Sequence, residues 1–155
     1  LYKVNAIDPT DVEMLNEYYF ETMHHEFAHI LHQKKNYPTE YNQISAADYS
    51  STGWQNRTEQ QAWKLGFVTP YAGMEPQEDF VEVIANYLVK PDGFWENMLA
   101  NAGTEGATKI QTKFDMVKEW LMTAWNIDID ELRTIIIRRS GDIDSILNEK
   151  IAYNE

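Results

Sequence analysis

Apolar side chains recur every three or four residues along most of this chain, a spacing that predicts helices in succession. Val12, Leu15, Tyr19, Met23, Phe27, Ile30 and Leu31 mark one helical stripe from Asp11 to about His32, with Thr10 and Glu13 in a capping-box arrangement at its start. Thr58 can cap a short helix through Ala62 and Leu65 that stops at Gly66, and Pro76 sits where the first turn of another would begin, continuing from Asp79 to Val89. Pro91-Asp92-Gly93 ends that run. Three more helices are expected at about Phe94–Asn101, Thr108–Trp125 and Asp130–Arg139, with Phe114, Val117, Trp120, Leu121, Ala124 and Trp125 as a core-facing stripe.

Two stretches break the helical period. Leu1 to Ile7 alternates apolar and polar residues, as a short strand does. Residues 33–56 are rich in Asn, Ser, Thr, Tyr and Pro with little periodicity, which predicts a long irregular excursion. Its Tyr41, Tyr49 and Trp54 are candidates for a substrate shelf, although aromatic residues more often fill cores. The expected class is mainly α, or α+β if strands precede the helices.

With 155 residues, 43% of them apolar, the chain has enough material for one core, so one domain over 1–155 is expected. It opens on Leu rather than Met, which reads as a piece of a longer or processed polypeptide lacking upstream residues. A net charge of −12 argues against nucleic acid or anionic lipid as partner. No apolar run approaches the roughly 20 residues of a transmembrane helix. With no cysteine, thiolate ligands and thiol nucleophiles are excluded, so any metal would be held by His and carboxylate.

The chemistry concentrates in His25-Glu26-Phe27-Ala28-His29. Two imidazoles four apart share one helix face and can reach one ion, while Glu26 beside them is placed to act as general base on a zinc-bound water. Catalytic zinc takes three protein ligands, so a third is required. Glu78 and Glu82 lie one turn apart on a predicted helix: one can bind metal while the other receives the free N–H of a ligating histidine. Spacing alone does not distinguish them, and an ion pair with Lys64 or Arg57 would account for either. His32 lies seven residues beyond His25, roughly 10 Å along the helix axis, too far to share one ion with it. It is expected to line the cleft. His24 points away from His25 and is expected to be exposed or bonded to backbone.

With these residues in view, the chain resembles the glutamate-zincin class, with HExxH on one helix and a glutamate on a second. More closely, the string from His24 to Gln33, Gly66-Phe67, Pro70-Tyr71-Ala72 and Glu78 to Glu82 resemble the zinc-binding metallopeptidase lipoproteins of Bacteroidetes, which are associated with outer-membrane nutrient-import systems. A tyrosine seven residues before an EDFVE-like string is also similar to the catalytic domain of anthrax lethal factor. The resemblance implies a zincin-like fold and one zinc ion held by His25, His29 and Glu78, with Glu26 as base, Glu82 orienting a ligand and Tyr71 stabilising an oxyanion. It further implies peptide or protein substrates, an envelope location and possible contact with an import complex. A zinc-stabilised, catalytically idle binding module is the competing reading.

Overall fold

Pro76 starts a helix that lies buried along most of its length. The computed structural model describes residues 8, 11 and 14–152. Among them are seven α-helices and no strand: α1 (Glu21–Lys34), α2 (Tyr41–Ile44), α3 (Glu59–Leu65), α4 (Pro76–Val89), α5 (Phe94–Asn101), α6 (Gly103–Trp120) and α7 (Ile129–Ala152). The mainly helical class is therefore observed. The predicted strand at Leu1–Ile7 and the Thr10–Glu13 capping box lie outside the described residues.

Helix α4 is buried on most of its faces, with the polar Asp79, Glu82 and Asn86 buried among its apolar residues. Phe80, Val81, Val83, Ile84, Ala85, Leu88 and Val89 are all buried. Proline at its first position costs no hydrogen bond there, and Glu78 and Asp79 in the first turn meet the positive end of the helix dipole. Helices α1, α6 and α7 pack around it. Helix α1 lies antiparallel to α4: Lys90 at the end of α4 pairs with Glu21 at the start of α1 at 2.8 Å, and His32 late in α1 packs on Phe80 early in α4. Ala28, 2% exposed, faces the contact and lets the two backbones approach.

The turns leading into α1 are wound wider than an α-helix, as a π-helix over Leu15–Phe20, and Asp11 accepts from the Met14 amide ahead of it. Helix α3 matches its predicted limits. Thr58 and Gln61 form the reciprocal capping box, and Gly66 ends the helix at φ 91°, a conformation that favours glycine. Gly106 of α6 crosses α3 so closely that a Cβ there would stand 2.3 Å from the Trp63 carbonyl oxygen.

The helix expected over Thr108–Trp125 begins five residues earlier, at Gly103, and its last turn widens to a π-helix over Leu121–Trp125. The predicted stripe faces the core: Phe114, Val117, Trp120 and Leu121 are buried, with Ala124 and Trp125 packed against them. Helix α7 does not stop at Arg139 but continues to Ala152. Asp128 caps it by accepting from the amides of Asp130 and Glu131. Gly141 inside it costs only about 1 kcal/mol relative to alanine, too little to end a helix of this length.

Residues 33–56 are less irregular than their composition suggests. They contain α2 and a 3₁₀ turn at Gly53–Asn56, and Tyr37, Tyr41 and Tyr49 dock onto α4. Tyr37 stacks on Phe80 with ring centres 4.2 Å apart, while Tyr41 and Trp120 meet the same ring edge-on. Trp120 adds a hydrogen bond to the Asn36 carbonyl at 3.1 Å. Beneath the excursion lies a fully buried ion pair, Lys113 of α6 with Asp79 of α4 at 2.5 Å. Lys113 also donates to the Gly66 carbonyl at 2.7 Å, and Tyr49 donates to Asp79 at 2.6 Å. One carboxylate thus ties α4, α6 and the excursion together.

Candidate metal centre

Packing α1 on α4 brings His25, His29 and Glu78 together. His25 and His29 stack one turn apart, with ring centres 4.8 Å apart and their Nε2 atoms at 3.2 Å. Oε2 of Glu78, arriving from the first turn of α4, is 3.1 Å from Nε2 of His25 and 3.4 Å from Nε2 of His29. It is buried and accepts no hydrogen bond.

These distances fit a metal. Donors about 2.0–2.1 Å from one tetrahedral zinc stand roughly 3.3 Å from one another, close to the three edges observed. The proton placement fits as well. Nδ1 of His25 lies 2.8 Å from Oε1 of Glu82 and, facing a carboxylate, carries the ring proton, which leaves a lone pair on Nε2. With the His29 proton likewise on Nδ1, two imidazole lone pairs and a carboxylate oxygen converge, an arrangement that a cation would stabilise. Among the described residues these three are the ones that group in this way.

The two glutamates that spacing leaves equivalent have different surroundings. Glu78 reaches the Nε2 side of the histidines. Glu82 reaches the Nδ1 side of His25 and is held there by Thr69, which donates to Oε2 at 2.5 Å, and more weakly by the Asn86 amide at 3.4 Å. Neither pairs with Lys64 or Arg57: Arg57 donates instead to the Asp48 carbonyl. Burial alone would lower the pKa of His25, but the hydrogen bond and charge of Glu82, with Glu78 and Glu26 nearby, outweigh it and raise the pKa.

A family model described as "Putative zinc-binding metallo-peptidase" matches residues 1–130. The chain belongs to that family. A crystal structure of a relative from Bacteroides caccae, titled with the same description, is 52% identical and superposes with a TM-score of 0.86 over 91% of this chain. The chain spans about half of that relative, 54% of its length. No curated protein matches. Among the described residues no helix is long and apolar enough to cross a membrane.

Other residues complete the surroundings of the candidate metal site. Tyr71 lies on the 3₁₀ turn Tyr71–Gly73, its ring centre 6.0 Å from that of His25. Burial and the neighbouring Glu78 carboxylate push its phenol up to about 12, so it keeps its proton at neutral pH. Glu26 is exposed on α1, near enough for its charge to act on both His25 and Tyr71. Of the three aromatics proposed as a shelf, only Trp54 touches this region, meeting Tyr71 edge-on at 5.0 Å. Tyr41 is fully buried against Phe80, and Tyr49 is committed to Asp79.

His32 does not line an open cleft: it is 7% exposed, and its Nε2 lies 2.9 Å from Nδ1 of His29. His24, which spacing placed in solvent or on backbone, is half-buried, and burial lowers its pKa. Thr69 reads from sequence only as part of a turn, with no role at the site. Besides holding Glu82 it accepts from the Ala72 amide at 3.1 Å, so one hydroxyl joins the turn bearing Tyr71 to the carboxylate behind His25. Its signal was a Thr-Pro pair at a turn, too common to single out.

Proposed function

We propose that this protein is a zinc-dependent peptidase that cleaves peptide bonds in peptide or protein substrates, with one zinc ion held by His25, His29 and Glu78. The observation that carries the reading is the convergence of two imidazole Nε2 atoms and a carboxylate oxygen at 3.1–3.4 Å, with no fourth His, Asp or Glu grouped with them among the described residues. Three protein ligands and an open position are the pattern of catalytic rather than structural zinc. That counts against the idle binding module, which would close the site with a fourth side chain. His32, the nearest candidate, is engaged on the far side of the His29 ring.

When bound, zinc supplies Lewis acidity, making a coordinated water easier to deprotonate and a carbonyl more electrophilic. Glu26 takes a proton from the attacking water and delivers it to the departing amide nitrogen as the C–N bond breaks. Tyr71, protonated at neutral pH, donates a hydrogen bond to the oxygen on which negative charge develops. Glu82 holds the Nδ1 proton of His25, fixes the ring's orientation and raises its basicity as a ligand. Envelope location and contact with an import complex rest on the family resemblance.

The test is metal analysis and peptide-library cleavage on the wild type beside Glu26→Gln. One equivalent of zinc in both proteins, with cleavage only in the wild type, is the expected result. Cleavage by Glu26→Gln would remove the assigned base, and a zinc-loaded wild type that cuts nothing in the library would favour the idle module.

A further inference from the structure

His29 lacks what His25 has, a carboxylate on the far nitrogen of its ring. In that place stands another histidine. His32 follows His29 by three residues on α1, so the two rings meet on one helix face, with ring centres 5.2 Å apart and Nδ1 of His29 2.9 Å from Nε2 of His32. The ring of His32 is itself fixed. Tyr37 meets it edge-on at 5.6 Å and Phe80 at 6.4 Å, and those two rings are stacked on each other. His32 is 7% exposed, so bulk water has little access to compete for this contact.

We propose that His32 is the positioning residue for His29, accepting its Nδ1–H so that Nε2 is presented to the metal as a lone pair. The inference rests on the metal-site reading above. Two proton arrangements satisfy a pair of neutral imidazoles. In one, His29 donates from Nδ1 and its Nε2 is free to ligate. In the other, His32 donates from Nε2, and the proton of His29 sits on the nitrogen facing His25 and Glu78, where a cation would have to displace it. Ligation therefore selects the arrangement with the His32 proton on Nδ1.

The arrangement gives the two ligands unequal support. His25 leans on an anion and His29 on a neutral ring, which is the weaker acceptor. The aromatic packing replaces part of the missing electrostatic hold with shape: Phe80, Tyr37 and the helix backbone leave His32 little room to turn. This ties the metal site to residues 33–44, a segment that carries no ligand itself.

Zinc affinity measured by chelator competition on wild type, His32→Leu and His32→Gln tests the role. Leucine removes the acceptor, whereas the terminal oxygen of glutamine can stand where Nε2 stood. His32→Leu is expected to bind zinc about 10–100-fold more weakly, the usual effect of losing such a partner, and His32→Gln to recover most of that loss. Thermal unfolding of the metal-free proteins checks that each variant is folded. Long-range ¹H–¹⁵N spectra of the zinc-loaded wild type are expected to show the His32 proton on Nδ1.

Wild-type affinity in a folded His32→Leu, a His32→Gln as weak as His32→Leu, or a His32 proton found on Nε2 would each overturn the proposal. A wild type that binds no zinc would instead overturn the metal-site reading on which it rests.

Discussion

Glu82 accepts the Nδ1 proton of His25 at 2.8 Å from a position one helical turn beyond Glu78, whose Oε2 meets Nε2 of the same ring at 3.1 Å. The imidazole is thus gripped from both ends by a single helix. Replacing Glu82 with Gln preserves the size of the side chain but removes the charge and leaves an amide that can turn either end toward the ring. Zinc affinity should fall by about 10–100-fold while the fold is retained. Chelator competition together with circular dichroism reads both quantities. An affinity within about twofold of wild type would show that the Glu82 charge contributes little to ligand strength.

The buried pair Lys113–Asp79 invites a different experiment, because a buried charge deprived of its partner is costlier than no charge at all. Burial pushes Lys113 down and Asp79 up, each partly offset by attraction to the other. Lys113→Met strands a carboxylate whose other partner is the Tyr49 hydroxyl, and should cost about 3–5 kcal/mol in urea unfolding. The double variant Lys113→Met with Asp79→Asn removes both charges and should recover a good part of that loss. Equal destabilisation of the single and double variants would show that shape, not charge balance, makes this position sensitive.

How much of this was readable beforehand depends on whether the signal is local. Helix α3 announced both its ends, through Thr58 with Gln61 and through Gly66, because caps and left-handed turns are written in adjacent residues. HExxH was equally visible, since four residues along a helix fix the relation of two side chains. Glu78 and Glu82 were not separable, being related by that same four-residue step. What distinguishes them is how α4 lies against α1 and where Thr69 comes to rest, and no spacing within α4 records either. His32 was judged too distant along the helix to share an ion with His25, and that reading did not see that the same geometry puts it against His29. The aromatic residues of 33–56 were misleading for the opposite reason. Their composition suits a loop, while Tyr37 and Tyr41 are drawn into the core by Phe80, 39 or more residues away in sequence.

Asp130 offers a pH-dependent test away from the candidate metal site. It joins three helices, accepting from Lys118 of α6 at 2.5 Å and from Tyr87 of α4 at 2.6 Å, and those two hydrogen bonds hold its pKa below 3.8. A carboxylate with a depressed native pKa adds stability above its unfolded pKa and loses it as pH falls through the native value. The pair is half-exposed, so Asp130→Asn should cost only about 0.2–1 kcal/mol at pH 7. The difference from wild type should shrink below about pH 4, where the unfolded carboxylate takes up its proton. Urea midpoints for both proteins at pH 7 and pH 3 measure this, and a gap that widens in acid would contradict the assigned sign.

Tyr71 tests the chemistry most directly, because its proposed contribution belongs to the transition state rather than to the resting site. Its phenol is kept protonated by burial and by the neighbouring Glu78, and its ring is braced edge-on by Trp54. It is not one of the three grouped donors, although its phenol bonds to Glu78, so Tyr71→Phe should lower zinc affinity far less than loss of a ligand would. Removing a donor aimed at developing negative charge commonly costs about 10²–10³ in kcat, with a smaller effect on KM. Steady-state kinetics on a substrate recovered from the library, beside metal titration, separates these effects. If the loss fell on KM instead, the phenol would be contacting substrate in its ground state, and the role of oxyanion donor would have to pass to another group.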